Sequence, residues 1–314
     1  MTQPLIAYVG APEGFEALRE AAHLKARTTH VAAEPAAVAA ALATAAGYLD
    51  ASMRVPLTLE VLAKAPNLRI VSCATTGSDH ISRPAAEERN IVIRTLREDG
   101  PLLQNLTPAA ELSWALLMAC ARKLPAALAH VHAGKWVREE FPGTMLNGRR
   151  LGLIGLGRIG GWMSRYARAF GMDVVGHDPH QQVLPTDVRR VPLLELFRTS
   201  DFISVHVHLN AETTGLVSKA LLNEVKLGAV LINTSRGAIV DEAAMLAALE
   251  SGRLAGVGLD VLEGEPKIDD HPLVRYSRTH PNVLITPHIG GFSPDAVRIV
   301  CRRAADKILE HLKL

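Results

Sequence analysis

LGLIGLGRIGG, residues 151–161, begins as an apolar run and breaks into glycines. Leu151–Ile154 has the length and composition of a buried strand, and Trp162–Phe170 carries a helical pattern. Between them, Gly155-x-Gly157-x-x-Gly160 has the spacing of a dinucleotide-binding turn. The first glycine allows the tight turn, the second lets the backbone approach a pyrophosphate, and the third lets helix and strand pack closely. The helix start then offers free N–H groups and a positive dipole end to the phosphates. The spacing alone is a weak signal. It is strengthened by the strand VVGHD, which ends at Asp178, 178 − 160 = 18 residues past the last glycine. A carboxylate at that distance binds the ribose 2′-hydroxyl of NAD. It repels a 2′-phosphate, and its neighbours His177, Pro179 and His180 include no arginine, so the sequence predicts NAD rather than NADP.

The turn lies in mid-chain because a second domain starts there. Before it, the apolar runs Leu5–Val9, Arg69–Cys73 and Ile91–Thr95 read as strands, and Phe15–Lys25, Pro35–Ala46 and Leu57–Lys64 read as helices. Such alternation predicts parallel βαβ units. Thr107 to about His132 reads as one long helix, with Pro108 in its first turn and Gly134 past its end. After the glycines the pattern restarts, with strands at Leu151–Ile154, Asp173–His177, Phe202–Val207, Ala229–Asn233, Ala255–Leu259 and Val283–Ile285. An amphipathic helix, Ser293–Leu312, closes the chain.

The totals fit two domains of a soluble globular protein: 314 residues, 48% hydrophobic and 21% charged. A net charge of +2, without a block of like charges, argues against nucleic acid or a membrane surface as partner. Cys73, Cys120 and Cys301 are odd in number and form no CxxC pair, so neither a disulfide framework nor a zinc knuckle is expected. They read as small core residues in a reducing cytosol. The start MTQPLIAYVG lacks the pattern of a signal peptide, and no apolar run reaches the roughly 18 residues of a spanning helix. A cytoplasmic protein is the expectation.

Three polar segments follow strands of the second unit. NTSRG places Arg236, LDVLEGEP places Asp260 and Glu265, and LITPHIGG places His288. Loops at the carboxyl ends of parallel strands gather at one crevice, so an arginine, a carboxylate and an imidazole are expected near a nicotinamide. Hydride transfer to a 2-keto acid uses that set. Arginine holds a carboxylate or polarises the keto oxygen. Histidine gives and takes the proton near neutral pH, and a carboxylate on its other nitrogen fixes the tautomer.

With these motifs in view, the chain resembles the D-isomer-specific 2-hydroxyacid dehydrogenases over nearly its whole length. The resemblance rests on TTGSDHI (75–81), NLTPAAELSWALL (105–117), GKW (134–136), GLIGLGRIG (152–160), VLINTSRGAIVDEAAM (230–245), GVGLDVLEGEP (256–266) and HPNVLITPHIGG (280–291). It implies an α/β fold of two Rossmann-like domains, with a parallel-sheet NAD-binding domain, 101–288, inserted into a flavodoxin-like substrate domain made of 1–100 and the C-terminal helix, 289–314. It further implies that Arg236 binds substrate, that His288 is the acid/base and that Glu265 is its partner. The backbone around Thr76 and Gly77 should hold the substrate carboxylate. Arg158 and Ile159 should meet the pyrophosphate, and Asp178 the ribose. Thr107, Thr234 and Asp260 should lie at the nicotinamide end, with Asp260 on the carboxamide; His206 and Thr213 are weaker cofactor contacts. The long helix from Thr107 implies a homodimer through the NAD-binding domain.

The chain departs from the family pattern at Ser82 and His208, where an acid and a proline are common, and in a longer loop at 265–280. His206 and His208, with His177 and His180 nearby, admit a metal reading, but no cysteine or acid completes a ligand set and the family is metal-free, so none is expected. The small 2-keto or 2-hydroxy acid is open. Glyoxylate or hydroxypyruvate fits the TPAAELSWALL style, and a short phosphoglycerate dehydrogenase, without a regulatory domain after Leu314, is the rival. Glu265 argues against a formate dehydrogenase, which carries glutamine there. The alternative of a different class is an NAD(H)-sensing binding module of the corepressor type. The side-chain pocket is expected at Ala51–Pro56, with Met53 and Arg54, and at Trp136; an inward Arg54 would favour a second anionic group on the substrate.

Overall fold

The computed structural model describes residues 3–314. The chain divides into two compact units, one of the residues up to Leu106 with Gly291–Leu314, the other of Thr107–Gly290. These divisions fall later than the expected 100/101 and 288/289. Leu103 and Leu106 pack with Leu96 and Ala296, which keeps the segment after residue 100 with the first unit.

In the first unit, β1 (Leu5–Val9), β2 (Arg27–His30), β3 (Gly47–Asp50), β4 (Ile70–Cys73) and β5 (Val92–Arg94) form a parallel sheet in the order β2-β1-β3-β4-β5. That is the flavodoxin-like order. Strand side chains alternate between faces. Ala7 and Val9 of β1 join a core with Leu42, Tyr48 and Val71, while Ile6 and Tyr8 join one on the other face with Leu18, Leu49 and Ile70. The second core is completed by Cys301, Ala304, Ala305, Ile308 and Leu312 of the closing helix Pro294–Leu312. Their spacing of three and four residues puts them on one helical face. Reading the sequence by apolar runs missed β2 and β3. β2 is RTTH, a half-exposed edge strand without an apolar run, and β3 is GYLD, whose apolar run is only Tyr48-Leu49 between a glycine and an aspartate.

In the second unit, β6 (Arg150–Ile154), β7 (Asp173–His177), β8 (Arg189–Arg190), β9 (Phe202–Val205), β10 (Ala229–Asn233), β11 (Leu254–Leu259) and β12 (Val283–Ile285) form a parallel sheet, β12-β11-β10-β9-β6-β7-β8. The order reverses between β6 and β9, the switch point where ligands bind in such sheets. Both faces are covered, by a core around Leu231, Val257 and Leu259 and by another around Leu153, Met163 and Leu117.

Two helical expectations are corrected. The single helix from Thr107 to His132 is two helices, Pro108–Ala121 and Leu124–His132. Pro125 has no N–H for the Ala121 carbonyl, which accepts from Thr144 instead, and Lys123 turns the chain through a left-handed conformation, φ +51°. The helix after the glycine turn begins at Arg158, inside the motif, not at Trp162. No single helix among the described residues is long and apolar enough to cross a membrane.

Candidate active site

The glycine turn links β6 to the helix Arg158–Ala169, with Gly157 at the N-cap. Gly155 has φ +91°, and a Cβ there would lie 2.4 Å from the His206 carbonyl oxygen. A Cβ on Gly160 would lie 2.1 Å from the Gly155 oxygen. Around Gly157, by contrast, nothing lies within 4 Å of where a Cβ would be. The fold itself demands the first and third glycines, and the second leaves open space at a helix N-terminus, which fits a pyrophosphate. Arg158 and Ile159 occupy the first turn of that helix.

Asp178 follows β7. Its Oδ2 accepts the Leu156 N–H at 2.9 Å, and its Oδ1 accepts the N–H groups of His180 and Gln181, each at 3.0 Å. Burial would raise this carboxyl, but the three N–H groups outweigh it and hold Asp178 below the usual carboxylate range. The charge that would face the ribose is therefore also a tie between the glycine turn and the next loop. His206 donates its N–H to Ile154, and its Nε2 lies 2.8 Å from Ser204 Oγ. Burial pushes the His206 imidazole down to about 3, so the ring is neutral. Thr213 Oγ1 accepts the Asn210 N–H and donates to the His208 carbonyl, closing a turn.

Arg236, Glu265 and His288 follow β10, β11 and β12, three neighbouring strands. Buried Asn233, the last residue of β10, accepts the Ser235 N–H and donates to the Arg236 carbonyl, which shapes the arginine loop. His288 Nδ1 lies 2.6 Å from Glu265 Oε1. A carboxylate only accepts, so Nδ1 carries the hydrogen and Nε2 is the nitrogen left for other work. Glu265 Oε2 accepts the Leu262 N–H at 3.2 Å. His288 itself has φ +55°.

Asp260 does something the sequence did not disclose. It is 1% exposed, and its carboxylate accepts from Thr286 Oγ1 and from the N–H groups of Ile289 and Gly290. Its backbone carbonyl accepts the His288 N–H. Burial raises this carboxyl above its ordinary range despite those bonds. Asp260 thus anchors the loop that carries His288. Thr234 meets buried Ser113 at 2.7 Å, and Thr107 donates to Glu111. The Thr234–Ser113 contact joins a strand-end loop to the helix Pro108–Ala121 across 121 residues of sequence, so residue spacing does not signal it, whereas Thr107 and Glu111 are four apart at the start of one helix.

In the first unit, Thr76 and Gly77 lie in the loop after β4, where Thr75 Oγ1 donates to the Gly77 carbonyl. Asp50, at the end of β3, accepts the N–H groups of Ser52 and Met53 and meets His80 Nε2 at 2.9 Å. Arg54 is exposed. Trp136, in the second unit, is 88% exposed. Among the described residues, no three His, Cys, Asp or Glu side chains are grouped to hold a metal ion.

Residues 114–290 match the family model described as D-isomer specific 2-hydroxyacid dehydrogenase, NAD binding domain, and residues 5–98 match the catalytic domain of the same family. The chain belongs to this family. Its cofactor is NAD, in keeping with the open space at Gly157 and the ionised Asp178. The chain is 39% identical to D-3-phosphoglycerate dehydrogenase of Rattus norvegicus over 76% of its own length and 44% of the relative's. It therefore spans less than half of that relative. It is 35% identical to hydroxypyruvate reductase of Thermotoga maritima, over 82% of this chain and 81% of the other. Among solved structures, the TT0316 protein from Thermus thermophilus superposes with a TM-score of 0.86 at 32% identity, covering 98% of this chain and 97% of that one.

Proposed function

We propose that this protein interconverts a 2-keto acid and a D-2-hydroxy acid with NAD. The observation that carries the reading is the pair of Glu265 and His288, 2.6 Å apart at the ends of adjacent strands of an NAD-binding sheet. A bound nicotinamide supplies or accepts the hydride at C2. His288 Nε2 gives a proton to the developing alkoxide, or takes it in the reverse direction. Glu265 on Nδ1 holds the tautomer and stabilises the imidazolium. Arg236 binds the substrate and polarises its keto oxygen. The substrate carboxylate is assigned to the backbone around Thr76 and Gly77. Arg158, Ile159 and Asp178 are assigned to the pyrophosphate and ribose, Thr107, Thr234 and Asp260 to the nicotinamide end, and His206 and Thr213 to further cofactor contacts. A small uncharged substrate side chain, as in glyoxylate or hydroxypyruvate, is the proposal; the hydroxypyruvate reductase relative supports it over most of both chains. Work in the cytoplasm agrees with three free cysteines.

The test is NADH oxidation with a panel of glyoxylate, hydroxypyruvate, pyruvate, a branched 2-keto acid and phosphohydroxypyruvate, with NADPH in parallel. Turnover on a panel member is expected, slowed by roughly 10²–10⁴-fold in His288→Ala. A preference for NADPH would overturn the role of Asp178. Tight NADH binding without turnover on any member would favour the sensing module.

A further inference from the structure

The Glu265–His288 pair is not held by burial, since its side chains are 31% and 38% exposed. An exposed ion pair gains little from its charges and loses side-chain entropy on being fixed. A 2.6 Å geometry there has to come from what supports the loop. Asp260 supplies that support on the His288 side, and on the Glu265 side stands a second, buried pair. Glu242 starts the helix Glu242–Glu250, and His271 caps the helix Pro272–Ser277. Their side chains are only 12% and 11% exposed and meet at 2.9 Å, Glu242 Oε2 to His271 Nε2.

The hydrogen bonds have a defined direction. His271 Nδ1 accepts the Leu273 N–H, so Nε2 carries the hydrogen and donates to Glu242. Glu242 Oε1 then accepts the Glu263 N–H at 3.0 Å. The neighbouring Leu262 N–H is the one that holds Glu265 Oε2. The Leu262–Glu263 peptide is gripped from a further side by Gly237, the residue after Arg236. A Cβ on Gly237 would lie 2.1 Å from the Glu263 nitrogen and 2.2 Å from the Leu262 carbonyl carbon. Burial raises the Glu242 carboxyl, opposed by the Glu263 N–H and His271, as expected of a carboxylate enclosed with its partners.

We infer that Glu242 and His271 are positioning residues for proton transfer: as one brace they fix the Leu262–Glu263 peptide, and through it the Glu265 carboxylate against His288. This rests on the acid/base reading of His288 given above. Neither residue touches the reacting atoms, so each acts on the chemical step more than on substrate affinity.

His271→Asn separates the brace from the helix cap, because asparagine still accepts the Leu273 N–H but cannot reach Glu242. Glu242→Ala removes both bonds. Asp241→Ala serves as control, since it deletes the side-chain cap on Ala244 of the same helix without touching the Glu265 loop. Two readouts are needed: kcat and KM on the panel substrate, and the ring 15N shifts of His288 in the protein without added NADH, assigned by their loss in His288→Ala. In His271→Asn and Glu242→Ala, kcat should fall by about 10–100-fold, with KM nearly unchanged and the His288 Nδ1 shift moved. Asp241→Ala should lower the melting temperature and leave both readouts in place. The inference is overturned if the His288 shifts stay put in both brace variants, or if Asp241→Ala reproduces their loss of kcat. If the unmodified protein reduces no 2-keto acid, the catalytic reading fails, while the 15N shifts still report whether the brace sets the Glu265–His288 bond.

Discussion

A methyl group added at Gly157 and one added at Gly160 would meet different surroundings. The first would enter open space at φ −71°, and the second would press on the Gly155 carbonyl at 2.1 Å. Gly157→Ala should therefore melt like the parent and lose NADH affinity by tenfold or more, about 1.4 kcal/mol. Gly160→Ala should lose stability itself. Calorimetric titration and thermal melts check both, and equal NADH affinity in Gly157→Ala would remove the pyrophosphate from this turn. The glycine spacing, the acid after β7 and the Arg–Glu–His order were legible because each is a matter of residue type and distance along the chain. The roles of Asp260 and Glu242 were not. Each bonds backbone N–H of another loop, and that meeting exists only after the strands align.

At the scale of elements, long periodic segments were legible and short polar ones were not. β8, two exposed arginines at a sheet edge, has no pattern to read. The break at Lys123–Pro125 was visible in principle, because a proline four residues after Ala121 removes the bond a continuous helix needs. The helix after that break, Leu124–His132, has no buried residue, and it exposes Leu124, Leu128 and Val131. Such an apolar face agrees with the homodimer through the NAD-binding domain that the family resemblance implies. Leu128→Asp should shift the molecular mass in solution from two copies to one, measured by light scattering on a sizing column. A parent that elutes as a single copy would refute the dimer.

At the scale of the whole molecule, the closing helix is tied to the first unit by charge as well as by its apolar face. Arg303 Nε lies 2.7 Å and Lys307 Nζ 2.5 Å from the Asp99 carboxylate, and Lys307 is 6% exposed. Burial would raise Asp99, but Arg303 and Lys307 outweigh it and the carboxyl lies below its ordinary value. A depressed carboxyl stabilises the folded state above the ordinary carboxylate range and ceases to do so as pH falls through the folded value. Asp99→Asn should thus cost about 3 kcal/mol at pH 7, by leaving Lys307 without its counter-charge. The gap from the parent should close below about pH 4. Urea unfolding at both pH values measures it, and a gap that persists in acid would show that charge is not the cause.

The two-part composition of the first unit also sets an order of events at the ribosome. Ile6, Leu18 and Leu49 emerge before the second unit, but the residues that cover them, Cys301, Ala304 and Ile308, are translated only after it. The nascent chain must hold that sheet face uncovered while the whole of Thr107–Gly290 is made, and the intervening unit can complete its own core first. A chain stalled just past residue 290, with its end clear of the exit tunnel, should show a protease-resistant NAD-binding unit joined to a digestible N-terminal segment. Synthesis speed and chaperone supply then bear on the first unit far more than on the second.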